Sequence, residues 1–236
     1  KGGGKMGYFK RLIVEHQIVN EMLCVQNELI KRLKMAKGVN VVHLDNLLSF
    51  WRDFLEQEHM SWEEEVAFAV FRKINHPLLD KMLGEHERLK SYLLNLEETM
   101  KLLRKGRPHS GREFTKWGEE FAETVAEHLS KENSVFKELA VNSGEKVENV
   151  EYPVPEGIRQ EKLMRLFSVA EKLCQEYLGK PASLPIFQEE TNEEPMEEEV
   201  YKEKAITNHS IEPIADPFEK TISNGEETEN GYSLYP

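Results

Sequence analysis

The chain repeats the dipeptide Glu-His four times, at Glu15-His16, Glu58-His59, Glu85-His86 and Glu127-His128. In two copies a carboxylate follows four residues after the histidine: His59 precedes Glu63, and His128 precedes Glu132. On a helix, positions i and i+4 share a face, so each pair sets an imidazole beside a carboxylate. Imidazole nitrogen combined with carboxylate oxygen suits divalent first-row metals such as iron, manganese or zinc. A carboxylate can also span two ions held roughly 3.5–4 Å apart. His16, His59, His86 and His128, with Glu63 and Glu132 as bridges, therefore form a candidate ligand set for two ions. Each ion would take two histidines and an oxygen from each glutamate. Further coordination positions would stay open for water, oxo, hydroxo or a small exogenous ligand.

Such a set works only if four helices bring it together, and the apolar periodicity supplies four. The first runs from about Tyr8 to Lys37, with Phe9, Leu12, Ile13, His16, Val19, Leu23 and Ile30 on one stripe and Gly38 as the expected stop. The second, about Val42 to Lys73, carries Leu48, Trp51, Leu55, His59, Trp62, Glu63, Val66 and Val70. The third opens at Asn75-His76-Pro77 and carries Leu79, Met82, His86, Leu89, Leu93, Leu96, Met100 and Leu103 before Gly106. The fourth opens on Ser110-x-x-Glu113, a capping-box signature, and continues through Phe114, Trp117, Phe121, Val125, His128, Glu132 and Leu139. All six candidate ligands fall on apolar stripes, which must face a core.

Short connections predict an up-down-up-down bundle. With a rise of about 1.5 Å per residue, the distances from each histidine to its helix end match across the loops to roughly 2–6 Å. The four histidines can thus share one level. The chain also repeats itself: His16 maps onto His86 and His59 onto His128 at nearly equal offsets. Such a repeat would arrange ligands two-fold around two ions.

A lone histidine on an apolar stripe is usually a hydrogen-bonded core residue. Two stripe carboxylates change the balance, because a buried ionised carboxylate costs several kcal/mol unless paired or metal-bound. Glu15, Glu58, Glu85 and Glu127 are expected on solvated faces, with a minor option that one of them holds a ligand imidazole. His43, His76, His109 and His209 fall at helix starts or in the tail and are expected to be solvated. A ferritin-like carboxylate site would need Glu-x-x-His twice. Only Glu56-x-x-His59 fits, since Val125 stands where the second glutamate belongs.

The protein has 236 residues and a net charge of −12, but residues 188–236 hold fourteen Asp/Glu against three Lys, so the rest is close to neutral. That balance gives no electrostatic case for nucleic acid or an anionic membrane. No apolar run approaches the roughly 20 residues that span a bilayer. Cys24 and Cys174 are expected to be buried free thiols in a reducing cytoplasm. The expected organisation is a Lys-Gly-rich cloning remnant over 1–6, a bundle over 7–144, a linker and further amphipathic helix over 145–180, and an acidic tail over 181–236. In that tail Tyr201, Phe218, Tyr232 and Tyr235 could dock on a protein partner.

The paired His-x-x-x-Glu motifs with two further helix histidines resemble the hemerythrin-like family of His-His-Glu cation-binding domains, over about residues 8–142. The resemblance implies an all-α four-helix bundle holding two irons joined by oxo or hydroxo, with manganese or zinc as substitutes. His16, His59, His86 and His128 would be terminal ligands, and Glu63 and Glu132 bridges. Oxygen-carrying hemerythrins place another histidine one turn after the third-helix ligand, where this chain has Lys90. The set is therefore closer to bacterial repair-of-iron-centres proteins and to iron- and oxygen-sensing domains. Binding or sensing of O2, NO, peroxide or iron is the leading expectation. A di-iron redox or repair activity, and an interaction module acting through the last helix and tail, stand as alternatives.

Overall fold

A computed structural model describes residues 8–142 and 157–185. Helix α1 spans Tyr8–Lys34; α2, Val41–Phe50; α3, Phe68–Lys73; α4, Leu79–Arg104; α5, Ser110–Asn142; and α6, Gly157–Leu178. Between α2 and α3 the rod stays helical but winds as π-helix over Trp51–Met60 and Glu63–Ala67. The α2–α3 rod counts as one member of the bundle, so α1, the rod, α4 and α5 form an all-α, up-down-up-down four-helix bundle. The expected remnant, the stretch through Pro153 and Pro155, and the tail beyond residue 185 lie outside the described residues. Among the described residues, no helix is long and apolar enough to cross a membrane.

The ends of the helices follow from local chemistry. Asn40 caps α2 by accepting from the Val42 amide at 2.9 Å. Three connections turn on a left-handed residue, Ala36 (φ 51°), Asn75 (φ 51°) and Gly106 (φ 63°). Each is followed by an amide that reaches back five residues, as from Lys37 to the Arg32 carbonyl at 2.9 Å. Gly38 was the expected stop, yet α1 ends at Lys34 and Ala36 takes the left-handed place. The capping box at Ser110 does not form. Its hydroxyl donates to the Arg107 carbonyl at 2.7 Å, and the Glu113 amide bonds the His109 carbonyl instead.

The apolar core comes in two pieces. A large cluster includes Ile18, Met22, Trp51, Phe54, Leu93, Phe121 and Val125, and a smaller one includes Tyr8, Phe9, Leu12, Phe68, Phe71, Met82 and Phe136. In all four bundle members the candidate ligands lie at the junction of the two. The site is therefore a polar layer sandwiched between apolar layers. In the rod, Ala67, Phe68 and Phe71 are buried where Val66 and Val70 were expected, and those two are only half-buried. The i→i+5 bonding of the π segments adds a residue to the turn and moves the stripe along by one.

Helix α6 covers the bundle with Leu163, Leu166, Phe167, Ala170, Leu173 and Cys174, the face its periodicity predicts. Arg159 on α6 bonds Glu58 and lies over the Trp62 ring at 5.2 Å. Just after α6, Lys180 and Ser183 bond Glu21 on α1. Cys174 is buried, but Cys24 is exposed, against expectation: it falls one residue beyond the buried Met22–Leu23 edge of α1.

Candidate metal centre

All six predicted residues meet in one layer, and none is more than 2 % exposed. The His59 and His128 Nε2 atoms each lie 3.1 Å from an oxygen of the glutamate four residues on, Glu63 and Glu132. His16 Nε2 stands 3.5 Å from an oxygen of each glutamate. His86 Nε2 is 3.4 Å from the second oxygen of Glu63 and 2.9 Å from His128 Nε2. Two donor groups result: His16, His59, Glu63 and Glu132, and His86, His128, Glu63 and Glu132. Within each group the donor atoms lie within 4.8 Å of one another, and both glutamates are shared.

The imidazoles are fixed from behind. Every Nδ1 faces an oxygen acceptor: Asn133 for His16 (2.9 Å), Glu15 for His59 (2.9 Å), Glu64 for His86 (2.8 Å) and Glu85 for His128 (2.9 Å). These oxygens can only accept, so each Nδ1 carries a hydrogen and each Nε2 is the nitrogen aimed into the cage. That is the orientation a metal ligand needs once Nε2 gives up any proton it holds. Arg11 backs Glu15 at 3.7 Å, Lys131 backs Glu85 at 2.6 Å and Lys90 backs Glu64 at 3.4 Å. Phenylalanine rings support three imidazoles: Phe136 on His16, Phe54 on His59 and Phe68 on His86.

Two of these outer partners overturn an expectation. Glu15 is fully buried and Glu85 is 5 % exposed, not solvated. Glu127 is exposed as expected, and Glu58 is half-buried against Arg159. Glu64 and Asn133 were missed altogether. The repeat carried their signal: both follow a bridging glutamate, as Glu15 and Glu85 both precede a ligand histidine. Each holds the histidine of a neighbouring helix. His43 and His76 are half-buried, with His43 on the Tyr177 hydroxyl and His76 against the Phe71 ring; His109 is exposed, and His209 lies outside the described residues.

The electrostatics show how strongly the layer wants positive charge. Burial disfavours an imidazolium, but neighbouring carboxylates outweigh it. His59 and His86 sit above the ordinary histidine range, and His128 is pushed up to about 10. Burial also opposes ionisation of Glu63, yet His59, His16 and His86 hold it well below the usual carboxylate range. The His128 bond, against burial and with help from Lys131, draws Glu85 down to about 2.

The residues fit a metal centre on one further observation. The buried Nε2 atoms of His16 and His59 and all four oxygens of Glu63 and Glu132 make no hydrogen bond. Buried polar atoms are nearly always satisfied, and these six all point inward at one another. A pair of cations would satisfy them together.

The family model described as "Hemerythrin HHE cation binding domain" matches residues 9–140, a span that contains every residue of the cage and its outer partners. Comparison with curated proteins and with solved structures returned no match.

Proposed function

The chain belongs to the hemerythrin HHE cation-binding domain family, and on that footing we propose that its cage holds two iron ions and binds or senses a small ligand such as O2, NO or peroxide. The observation that carries this reading is the pair of four-donor groups sharing Glu63 and Glu132. Two imidazole nitrogens and two carboxylate oxygens per position suit a first-row ion, and they leave coordination sites for an exogenous ligand. Such a pair of ions supplies Lewis acidity and one-electron redox chemistry that the side chains lack.

The protein's own residues do the remaining work. Glu15, Glu64, Glu85 and Asn133 keep each Nδ1 protonated and each Nε2 aimed inward. Phe54, Phe68 and Phe136 exclude water from the layer and restrict ligands to small ones. Lys90, bonded to Glu64 and Glu87, stands where oxygen carriers would have a fifth histidine, which favours sensing or iron handling over carriage. Free thiols at Cys24 and Cys174 are in keeping with a reducing cytoplasm.

The test is anaerobic metal analysis followed by optical spectra on titration with O2, NO and peroxide. About two irons per chain and ligand-dependent bands are expected. Two irons with a spectrum indifferent to all three ligands would overturn the small-ligand reading.

A further inference from the structure

The repeat makes the cage two-fold in its ligands, but not in what stands behind them. Glu64 and Asn133 hold equivalent places: each follows a bridging glutamate, and each accepts from the Nδ1 of a histidine, His86 at 2.8 Å and His16 at 2.9 Å. Glu64 is a carboxylate backed by Lys90. Asn133 is a neutral amide, and among the described residues no cation bonds it. The other two histidines match one another, since His59 leans on Glu15 and His128 on Glu85. The inward donors of the two positions also match in kind and number.

A carboxylate behind a ligand imidazole raises its basicity and so its hold on a metal, and a neutral amide does this less. The His86/His128 position therefore has two anionic supports and the His16/His59 position has one. A second difference points the same way. Asn133 lines a surface cleft of about 520 Å³ with Asn20, Leu129, Ser130 and Lys137. Asn20 also donates to the His16 carbonyl at 2.8 Å. The more weakly supported imidazole is thus bonded to a residue that lines a solvent-facing cleft.

We propose that the two cation positions are inequivalent, that His86/His128 fills first and holds tighter, and that His16/His59 is the exchangeable position. Asn133 is the positioning residue that sets the difference. This rests on the two-ion reading above. Replacing Asn133 by aspartate would restore the symmetry of the anionic supports, and Lys137, four residues on along the same helix and lining the same cleft, offers that carboxylate a nearby cation.

The experiment is an anaerobic titration of the metal-free full-length chain with Fe(II), and separately with Zn(II), against a chromophoric chelator. Wild type should bind two ions in two steps whose dissociation constants differ by roughly 10–100-fold, the range for changes in outer partners. Asn133→Asp should tighten the weak step and merge it with the strong one. Glu64→Gln should weaken the strong step by a similar factor and merge the two from the other side. A merely structural role for Asn133 would not tighten binding, so the gain in affinity is the diagnostic readout. Two ions bound with one affinity in wild type would overturn the inference and spare the two-ion reading, as would an unchanged ratio in Asn133→Asp. A total of one ion or none would overturn the reading itself. Should Glu64→Gln fail to fold, wild type and Asn133→Asp decide the matter alone.

Discussion

Glu63 is the residue whose loss should reach furthest, because it gives one oxygen to each donor group: Oε1 toward His59 and His16, Oε2 toward His86. Replacing it with glutamine keeps the shape and removes the charge, so both positions lose one of their two anionic donors at once. Suppose free metal stands at about 100 times the dissociation constant of each position; each ion then stabilises the folded state by about 2.7 kcal/mol. Two ions contribute about 5 kcal/mol, which for a domain of this size raises the melting temperature by about 10–20 °C. A ligand should matter at least as much as the 10–100-fold attributed to outer partners. A 100-fold loss at both positions leaves about 0.4 kcal/mol per ion, and the increment falls to about 2–4 °C. The assay is calorimetry of wild type and Glu63→Gln, each with and without Fe(II) at fixed free concentration, alongside metal analysis. Because the readout is the loaded-minus-free difference, any change in the metal-free baseline cancels. A variant that keeps two ions and the full increment would refute the shared-bridge geometry.

Other outcomes follow from the same layer. Glu85→Gln removes the anionic support of His128 and leaves Lys131 only its longer pairing with Glu127, so chelator competition should show affinity at that position falling roughly 10–100-fold. The His128 imidazole, held up to about 10 by Glu132 and Glu85 against the pull of burial, gives the metal-free protein stability that is complete below about 6.5 and lost as pH rises through about 10. Metal binding must release that proton, so apparent affinity should climb over the same window; unfolding and competition profiles that are flat from pH 7 to 10 would contradict this. Ala36, held at φ 51° in an exposed turn, should accept glycine with a gain of about 0.5–1 kcal/mol, the left-handed strain relieved less the entropy glycine adds, read from denaturant midpoints.

The ligands were legible because they break a rule on one helix at a time. A histidine or glutamate on an apolar stripe is conspicuous without knowing which helix lies opposite, and the stripes of α4 and α6 fall where their periodicity put them. The outer partners were hidden for the opposite reason. Glu15 and Glu85 sit one residue off the stripe, where an isolated helix would bathe them in water; only the approach of the rod and of α5 buries them. Asn133 and Glu64 look like ordinary helix residues until a neighbouring helix brings His16 or His86 to them. At Ser110 the sequence signature was present, but His109 at φ 67° supplies the carbonyl that starts the helix and the hydroxyl turns elsewhere.

The π winding of the rod was not legible at all, and it bears on how the layer is sealed. In α5, His128 and Glu132 sit on regular helix; in the rod, His59 and Glu63 sit within or beside π segments. Both pairs nonetheless close to 3.1 Å. The winding is therefore not needed to make the ligand pair. Its effect appears further along. Phe68 lies nine residues beyond His59, which is about two and a half turns of α-helix and would put it on the opposite side of the rod. In the structure Phe68 is fully buried, with its ring 5.1 Å from that of His86. The wider i→i+5 turns bring it round to the ligand face. The rod thus carries two ligands and, one layer beyond them, the ring that covers a third ligand from another helix. π segments are often found at functional sites, and here the physical reason is specific: a 3.6-residue turn would supply His59 and Glu63 but keep Val66 and Val70 on the ligand stripe, and the π winding brings the Phe68 ring onto His86 in their place.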